Sequence, residues 1–316
     1  VERTKYVMGE ARDMSVDLLH PAGPGREWGE SLYFNVYDQD NDICAFMRVG
    51  LKPNMNERSA FCFFLMPDGS VVGMSGNEPC GPISLYAMGL SIRTVEPEKR
   101  WLLKFNGHMG RLTEGDPVPT PVSFELDFEA RNQATGFIEH ADGKGDGPAQ
   151  KAVLEHLGQF GKVSGSLMVG TEQFDISGRG GRNHTWGTLD WSRYKMWFRL
   201  TGQFSDNVAF SVTKKFTEQR EASGGYFHMY GKDLPVVKAN VRTVLDPDGT
   251  PCSMAMSLVD EAKGKHKITA EVLRMVAIPF PSRDGRTMSV LHEALAEFDL
   301  NGQKGYGIAE YLVRKQ

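Results

Sequence analysis

The densest cluster of reactive side chains is Ile176-Ser-Gly-Arg-Gly-Gly-Arg-Asn-His-Thr-Trp-Gly-Thr-Leu-Asp-Trp191. If Arg182 to Asp190 is extended, the side-chain period of two puts Arg182, His184, Trp186, Thr188 and Asp190 on one face, with Asn183 and Thr185 on the other. Such a face packs poorly as core and serves well as a pocket wall. Histidine exchanges a proton near neutral pH without perturbation, so His184 is the candidate general acid or base. Trp186 offers a broad apolar platform for substrate, and Arg182 and Asp190 can orient the imidazole or neutralise developing charge. The same spacing also fits a buried histidine donating to a carbonyl, with Arg182 and Asp190 as an ordinary ion pair. The glycines just upstream call for a tight bulge or a close backbone approach.

A second patch is Gly224-Gly-Tyr-Phe-His-Met-Tyr-Gly231. Extended, it turns Tyr226, His228 and Tyr230 one way, against Phe227 and Met229. That face could supply hydrogen bonds at the polar end of a cavity, or it could be a solvated aromatic strand face. Tyr33 and Asn35, with Arg48, are polar residues on strands that could point into a barrel. Other chemistries are missing from the sequence. There is no G-x-x-x-x-G-K-[ST], and Gly178-Arg-Gly-Gly-Arg-Asn183 lacks the third glycine of a dinucleotide fingerprint. G-x-S-x-G does not occur. The eight histidines form no H-x-H or H-E-x-x-H pair. No cofactor and no metal are expected.

The elements that must hold these residues are strands. Ser31 to Tyr37 alternates with Leu32, Phe34 and Val36 on one face; Val122 to Phe128 does the same with Phe124, Leu126 and Phe128. Ala60 to Met66 is closed by the Pro67-Asp-Gly69 turn, and Val241 to Leu245 precedes Asp246-Pro-Asp-Gly249. Tyr194–Leu200, Val208–Val212, Lys267–Met275 and Gly307–Val313 continue the theme, and Val290–Glu297 reads as strand because Asn301-Gly302 follows. One segment, Gly147 to Gly158, reads as a short helix, with Pro148 near its first turn and Gly158 as its stop. Gly178-Arg-Gly180 and Gly305-Tyr-Gly307 form a weak internal echo. The expected architecture is all-β, two antiparallel barrels in tandem over 1–185 and 186–316, with a helix near 148–158.

Composition narrows the partners. A net charge of −4 over 316 residues leaves no basic excess for nucleic acid. No stretch approaches the roughly 18–20 apolar residues of a membrane-spanning helix. Four cysteines without a C-x-x-C pair read as buried free thiols. No charged n-region followed by an apolar h-region opens the chain, so a cytoplasmic location is expected. Edge strands could pair two copies into a homodimer.

The run from Gly178 to Trp191 resembles the H-[ST]-W signature of the hydroxyneurosporene synthase (carotenoid hydratase) and AttH-like superfamily. Glu30-Ser-Leu-Tyr-Phe-Asn35, Pro67-Asp-Gly69, His156-Leu-Gly with Val163-Ser-Gly165, and Gly305-Tyr-Gly-Ile-Ala-Glu310 are similar to uncharacterised bacterial members. Asn183 stands where many relatives carry Asp. The resemblance implies two lipocalin-like barrels and an apolar cavity at or between them. It also implies cofactor-free addition of water to a double bond, with His184 and Trp186 tied to activity. The expected function is a hydratase- or dehydratase-type lyase acting on a hydrophobic terpenoid or aromatic molecule. The alternatives are a carrier of lipophilic ligands, or a pericyclase or isomerase.

Overall fold

The computed structural model describes residues 7–10, 17–113, 115–140, 152–188, 194–218, 221–281 and 286–315. It is nearly all strand and divides into two compact units, one over Val7–Asp190 and one over Trp191–Gln316. The first holds β1 (Val7–Glu10), β2 (Trp28–Asp38), β3 (Ile43–Lys52), β4 (Glu57–Leu65), β5 (Val71–Pro79), β6 (Tyr86–Ala87), β7 (Leu90–Glu96), β8 (Arg100–Leu112), β9 (Val118–Ala130), β10 (Thr135–His140), β11 (Ala152–Val169) and β12 (Glu172–Thr188). Its antiparallel pairings run β2-β3-β4-β5-β8-β9-β11-β12 and return to β2, so eight of the twelve strands close a ring. β10 and β1 extend the sheet from the first half of β11, and β7 and β6 extend it from β8.

Alternation decides what fills this ring. Leu32, Phe34 and Val36 from β2 meet Phe124, Leu126 and Phe128 from β9 in one buried cluster. Phe34 and Phe128 pack edge-on at 5.3 Å, as do Phe64 and Phe124 at 5.5 Å, the geometry aromatic pairs prefer. The Pro67-Asp-Gly69 turn forms as expected, with Gly69 at φ 82° and its N–H on Met66 O. Cys44, Cys62 and Cys80 are buried free thiols and Cys252 is a half-buried one; burial pushes the Cys62 thiol up.

The expected helix is corrected. Ala152 to Gly158 begins β11 and pairs with β10 on one edge and β12 on the other, while residues 147–151 lie outside the described residues. A helix of three turns is marginal alone in water. Two sheet edges that need partners offer the segment more hydrogen bonds than its local spacing does. β12 also continues to Thr188, paired with Trp28, past the expected boundary at 185.

The second unit is a closed eight-stranded barrel of β13 (Met196–Gln203), β14 (Val208–Phe216), β15 (Glu221–Met229), β16 (Lys232–Leu245), β17 (Pro251–Asp260), β18 (Lys265–Pro281), β19 (Met288–Leu300) and β20 (Gln303–Lys315). The Val290–Glu297 stretch is strand, and Asn301 and Gly302 turn it at φ 55° and 88°. Among the described residues no helix is long and apolar enough to cross a membrane.

The echo between Gly178-Arg-Gly180 and Gly305-Tyr-Gly307 marks one device used twice. In each unit the last strand of the ring lies against the first, and a Cβ at Gly180 would overlap the carbonyl oxygen of Asn35, as one at Gly307 would that of Thr201. The β12–β2 register runs through without a shift, so these glycines serve close approach and not a bulge. The obstructing atom is backbone and cannot swing aside. Gly180→Ala is therefore expected to destabilise the first unit by about 2 kcal/mol, roughly 4–8 °C in Tm. A variant that melts with the wild type would show that the two strands can part at no cost.

Candidate functional site

β12 presents Arg182, His184 and Trp186 directly opposite Phe34, Leu32 and Glu30 of β2. Opposed residues of an antiparallel pair share a face, and Phe34 and Leu32 belong to the buried cluster. The three residues singled out by period two therefore point into the first ring. They stand near its end, where β9 has stopped at Ala130 and β11 continues alone with β12 and β10. Asp17 and His20, which precede β2, close in on them.

Arg182 is almost wholly buried and is held from three sides. Its Nη1 donates to Asp17 Oδ1 at 2.7 Å, its Nε donates to Gln159 Oε1 at 2.7 Å, and its guanidinium lies 3.7 Å over the Trp101 ring. Gln159 is fixed in turn by donating to the carbonyls of Glu98 and Asn132. Asp17 Oδ2 accepts the Glu98 N–H at 2.6 Å.

His184 has no exposed surface and sits between two carboxylates. Its Nε2 is 2.7 Å from Glu30 Oε1, and its Nδ1 is 3.5 Å from Asp17 Oδ1, an ion-pair distance longer than a good hydrogen bond. Glu30 Oε1 also receives His20 Nδ1 at 2.7 Å, and Glu30 Oε2 takes the His20 backbone N–H at 3.0 Å. A carboxylate oxygen only accepts, so both imidazole nitrogens that face Glu30 carry hydrogen. The His20 ring stacks on Trp186, centroids 4.3 Å apart and planes 14° apart. Trp186 itself packs with Ala134, Leu157 and Trp28. His20 keeps 22% of its side chain exposed, and its Nε2 has no hydrogen bond among the described residues.

Burial alone would raise the carboxyl groups of Asp17 and Glu30, yet both lie below their ordinary values. For Asp17 the His184 ring nearby, the Arg182 charge and the Glu98 N–H outweigh burial; for Glu30 the two histidines do so. Glu98 goes the other way, raised by burial and by the Asp17 charge. Asp17 is thus answered by the Arg182 guanidinium, and Glu30 by N–H groups of His20 and His184.

His20, Glu30 and His184 bring three potential ligand atoms within 4.8 Å of one another, a donor set suited to zinc or non-haem iron. Neighbouring ligands on bonds of ~2.1 Å would stand about 3.0–3.4 Å apart. The two N···O separations here are 2.7 Å, hydrogen-bond distances, and Glu30 Oε1 links the two imidazoles.

The structure joins Arg182, His184 and Trp186. Asp190 lies outside the described residues. Tyr33 and Asn35 occupy the opposite face of β2 from Phe34; Tyr33 packs edge-on near Phe61, and Asn35 Oδ1 accepts the Gly181 N–H at 2.9 Å. Tyr226 and His228 lie on the face of β15 opposite the core residue Phe227, with His228 Nδ1 2.7 Å from Asp233 Oδ1. Tyr230 stands 76% exposed at the turn after β15. The residues that sequence reasoning missed are Asp17, His20 and Glu30. Alternation carried one step back from Leu32 and Phe34 would have put Glu30 on their face, whereas Asp17 and His20 sit in irregular chain without a period to read.

Residues 13–315 match the model of a domain of unknown function, DUF7064. The chain belongs to the DUF7064 family. No curated protein sequence matches it. Among solved structures, this DUF7064 protein is similar to an AttH-type protein from Nitrosomonas europaea, with 12% identity, a TM-score of 0.63, and 93% of this chain and 99% of that one covered. It is also similar to kievitone hydratase from Nectria haematococca, at 12% identity and TM-score 0.60, covering 90% and 89% of the two chains. CghA, solved with Sch210972, matches at 8% identity and TM-score 0.54, covering 91% and 88%. At such identities the likeness shows a shared tandem lipocalin-like fold.

Proposed function

We propose that this DUF7064 protein is a cofactor-independent lyase of the hydratase or dehydratase kind, acting on a hydrophobic terpenoid or aromatic molecule. His20 exchanges the proton with substrate, and His184 is a positioning residue behind it. The observation that carries this reading is Glu30 Oε1 held between two imidazole nitrogens at 2.7 Å, one ring sealed and the other partly open. The fully buried His184 cannot touch a substrate, so the role its sequence context suggested moves one residue outward along the relay.

In hydration the His20 imidazolium gives its Nε2 proton to one carbon of the double bond. Water oxygen then bonds the other carbon and loses a proton to His20, so that one water is added and the histidine is restored. Dehydration is the reverse. Glu30 holds the His20 Nδ1–H and so leaves Nε2 as the nitrogen that exchanges the proton, and Trp186 braces the ring from one face. Kievitone hydratase, similar in fold, is a hydratase by name, which is consistent with this reaction class.

The test uses the small molecules extracted with the protein, incubated with it in oxygen-18 water and followed by mass spectrometry. The expected product carries the mass of one labelled water more, or of one water less, and forms equally in excess EDTA. A mass-neutral product would replace the lyase reading with an isomerase or pericyclase, and no product at all would leave a carrier. Loss in EDTA with recovery on zinc would turn the three ligands into a metal centre.

A further inference from the structure

Several strand pairings set a cation directly opposite a carboxylate. Lys104 faces Glu125 across β8 and β9, Arg58 faces Glu78 across β4 and β5, and Lys304 faces Asp299 across β19 and β20. Each is ion-paired there, as opposite charges on one sheet face prefer.

The outer face of β16, β17 and β18 is built differently. Met254, Met256, Leu258, Ile268 and Ala270 fill the barrel, and Ala239 and Val241 pair with Leu258 and Met256 on that inner side. Side chains alternate along a strand, so Lys238 and Arg242 of β16, and Lys265 and Lys267 of β18, point outward, and all four are exposed. Their partners on β17 are neutral: Val259 lies between Lys238 and Lys265, Ala255 lies opposite Arg242, and Ser257 lies opposite Lys267. None of the four has an ion pair or a side-chain hydrogen bond among the described residues. Strand spacing sets Lys238 about 10 Å from Lys265, and residue rise sets it about 13 Å from Arg242. Glu271, opposite Ser253, is the one carboxylate on this face of the three strands, at its far corner. Four cations thus share a flat patch in a chain whose net charge is −4, and nothing within the patch offsets their mutual repulsion.

Apolar side chains border the patch. Val237 is the extra residue of the bulge between Val236 and Lys238 and stands 65% exposed. Val244 follows Arg242 on the same outer face, and Tyr230 lies on the turn that leads into β16; both are exposed.

The geometry points to a docking face for an anionic lipid surface, with Lys238, Arg242, Lys265 and Lys267 on the headgroups and Val237, Val244 and Tyr230 entering the headgroup layer. Cations beside exposed apolar and tyrosine side chains suit that boundary, where charge and greasy surface are met together. An acidic protein would answer the charges but leaves the apolar border without a role. No aromatic ring lies among the four cations, so the bases of a single strand of nucleic acid have nothing there to stack on. The face is separate from His20 and does not depend on the proposed lyase reaction.

The test is co-sedimentation of the full chain with sucrose-loaded vesicles, made of phosphatidylcholine alone or with phosphatidylserine as a third of the lipid. Binding is expected to the anionic vesicles, and it should weaken as salt rises from about 0.1 M to about 1 M, where the Debye length falls from about 10 Å to about 3 Å. Each cation at such a surface changes partition about fivefold. Lys238→Gln combined with Arg242→Gln should therefore lower it about 25-fold, with the circular dichroism of the wild type because both positions are exposed. Lys104→Gln, at a cation already paired with Glu125, should leave partition unchanged. No preference for anionic vesicles, or a folded double variant that partitions like the wild type, overturns the proposal. A wild type that ignores the vesicles and binds poly-L-glutamate would assign the face to an acidic protein and overturn it as well.

Discussion

His20→Ala is expected to lower kcat by about 10²–10⁴, the usual contribution of a positioned proton-transfer group, with the fold retained. The scale follows from where the residue stands. Its ring is partly exposed, lies outside the strands, and is joined to the rest by Glu30 and by stacking on Trp186. Removing it exposes no charge that was not already paired, because Glu30 keeps His184. His184→Gln provides the contrast. Its amide N–H can still donate to Glu30, so the loss in kcat should be smaller, KM should hold, and the pH–rate profile should move because the ring that flanks Glu30 has lost its proton-carrying capacity. Equal losses in the two variants, or a folded His20→Ala with full turnover, would reverse the order of the relay. Circular dichroism and kinetics on the labelled-water reaction read all of these outcomes.

The legible part of the molecule was the part with a period. Leu32, Phe34 and Val36, Phe124 to Phe128, and the turns at Gly69, Gly249 and Gly302 follow from alternation and from the φ that glycine allows. The same rule placed Arg182, His184 and Trp186 together on one face, which the pairing with β2 shows to be the inner one. It could not show that the imidazole is walled in, since burial of one strand end depends on chain 165 positions earlier, where Asp17 comes to lie on Arg182. Nor could alternation say which face of β2 or β15 was inner, and so Tyr33, Asn35, Tyr226 and His228 stayed open between a cavity wall and an outer face; in the structure they lie opposite the core residues Phe34 and Phe227. The Gly147–Gly158 helix failed for a related reason: local spacing carried no record of the two strands waiting for β11.

Asp17→Asn should be the most destabilising single change at the site, at about 3–5 kcal/mol near neutral pH. The Arg182–Asp17 pair is all but inaccessible, with side chains 1% and 0% exposed, and breaking such a pair strands the remaining charge away from water. Trp101 beneath the guanidinium and Gln159 on its Nε hold Arg182 in place, so it cannot swing out to find solvent. In a unit of this size the loss corresponds to roughly 6–20 °C in Tm. Its pH dependence separates charge from packing. The Asp17 carboxyl is lowered in the folded protein, so its stabilisation is present above the unfolded value of about 3.9 and fades as pH falls below that toward the folded value. Wild type and variant should therefore converge in acid, where both present an uncharged side chain to Arg182. A deficit that stays constant from neutral pH down to acid would mean that Asp17 matters through its shape and hydrogen bonds, and that the Arg182 charge is answered by other groups.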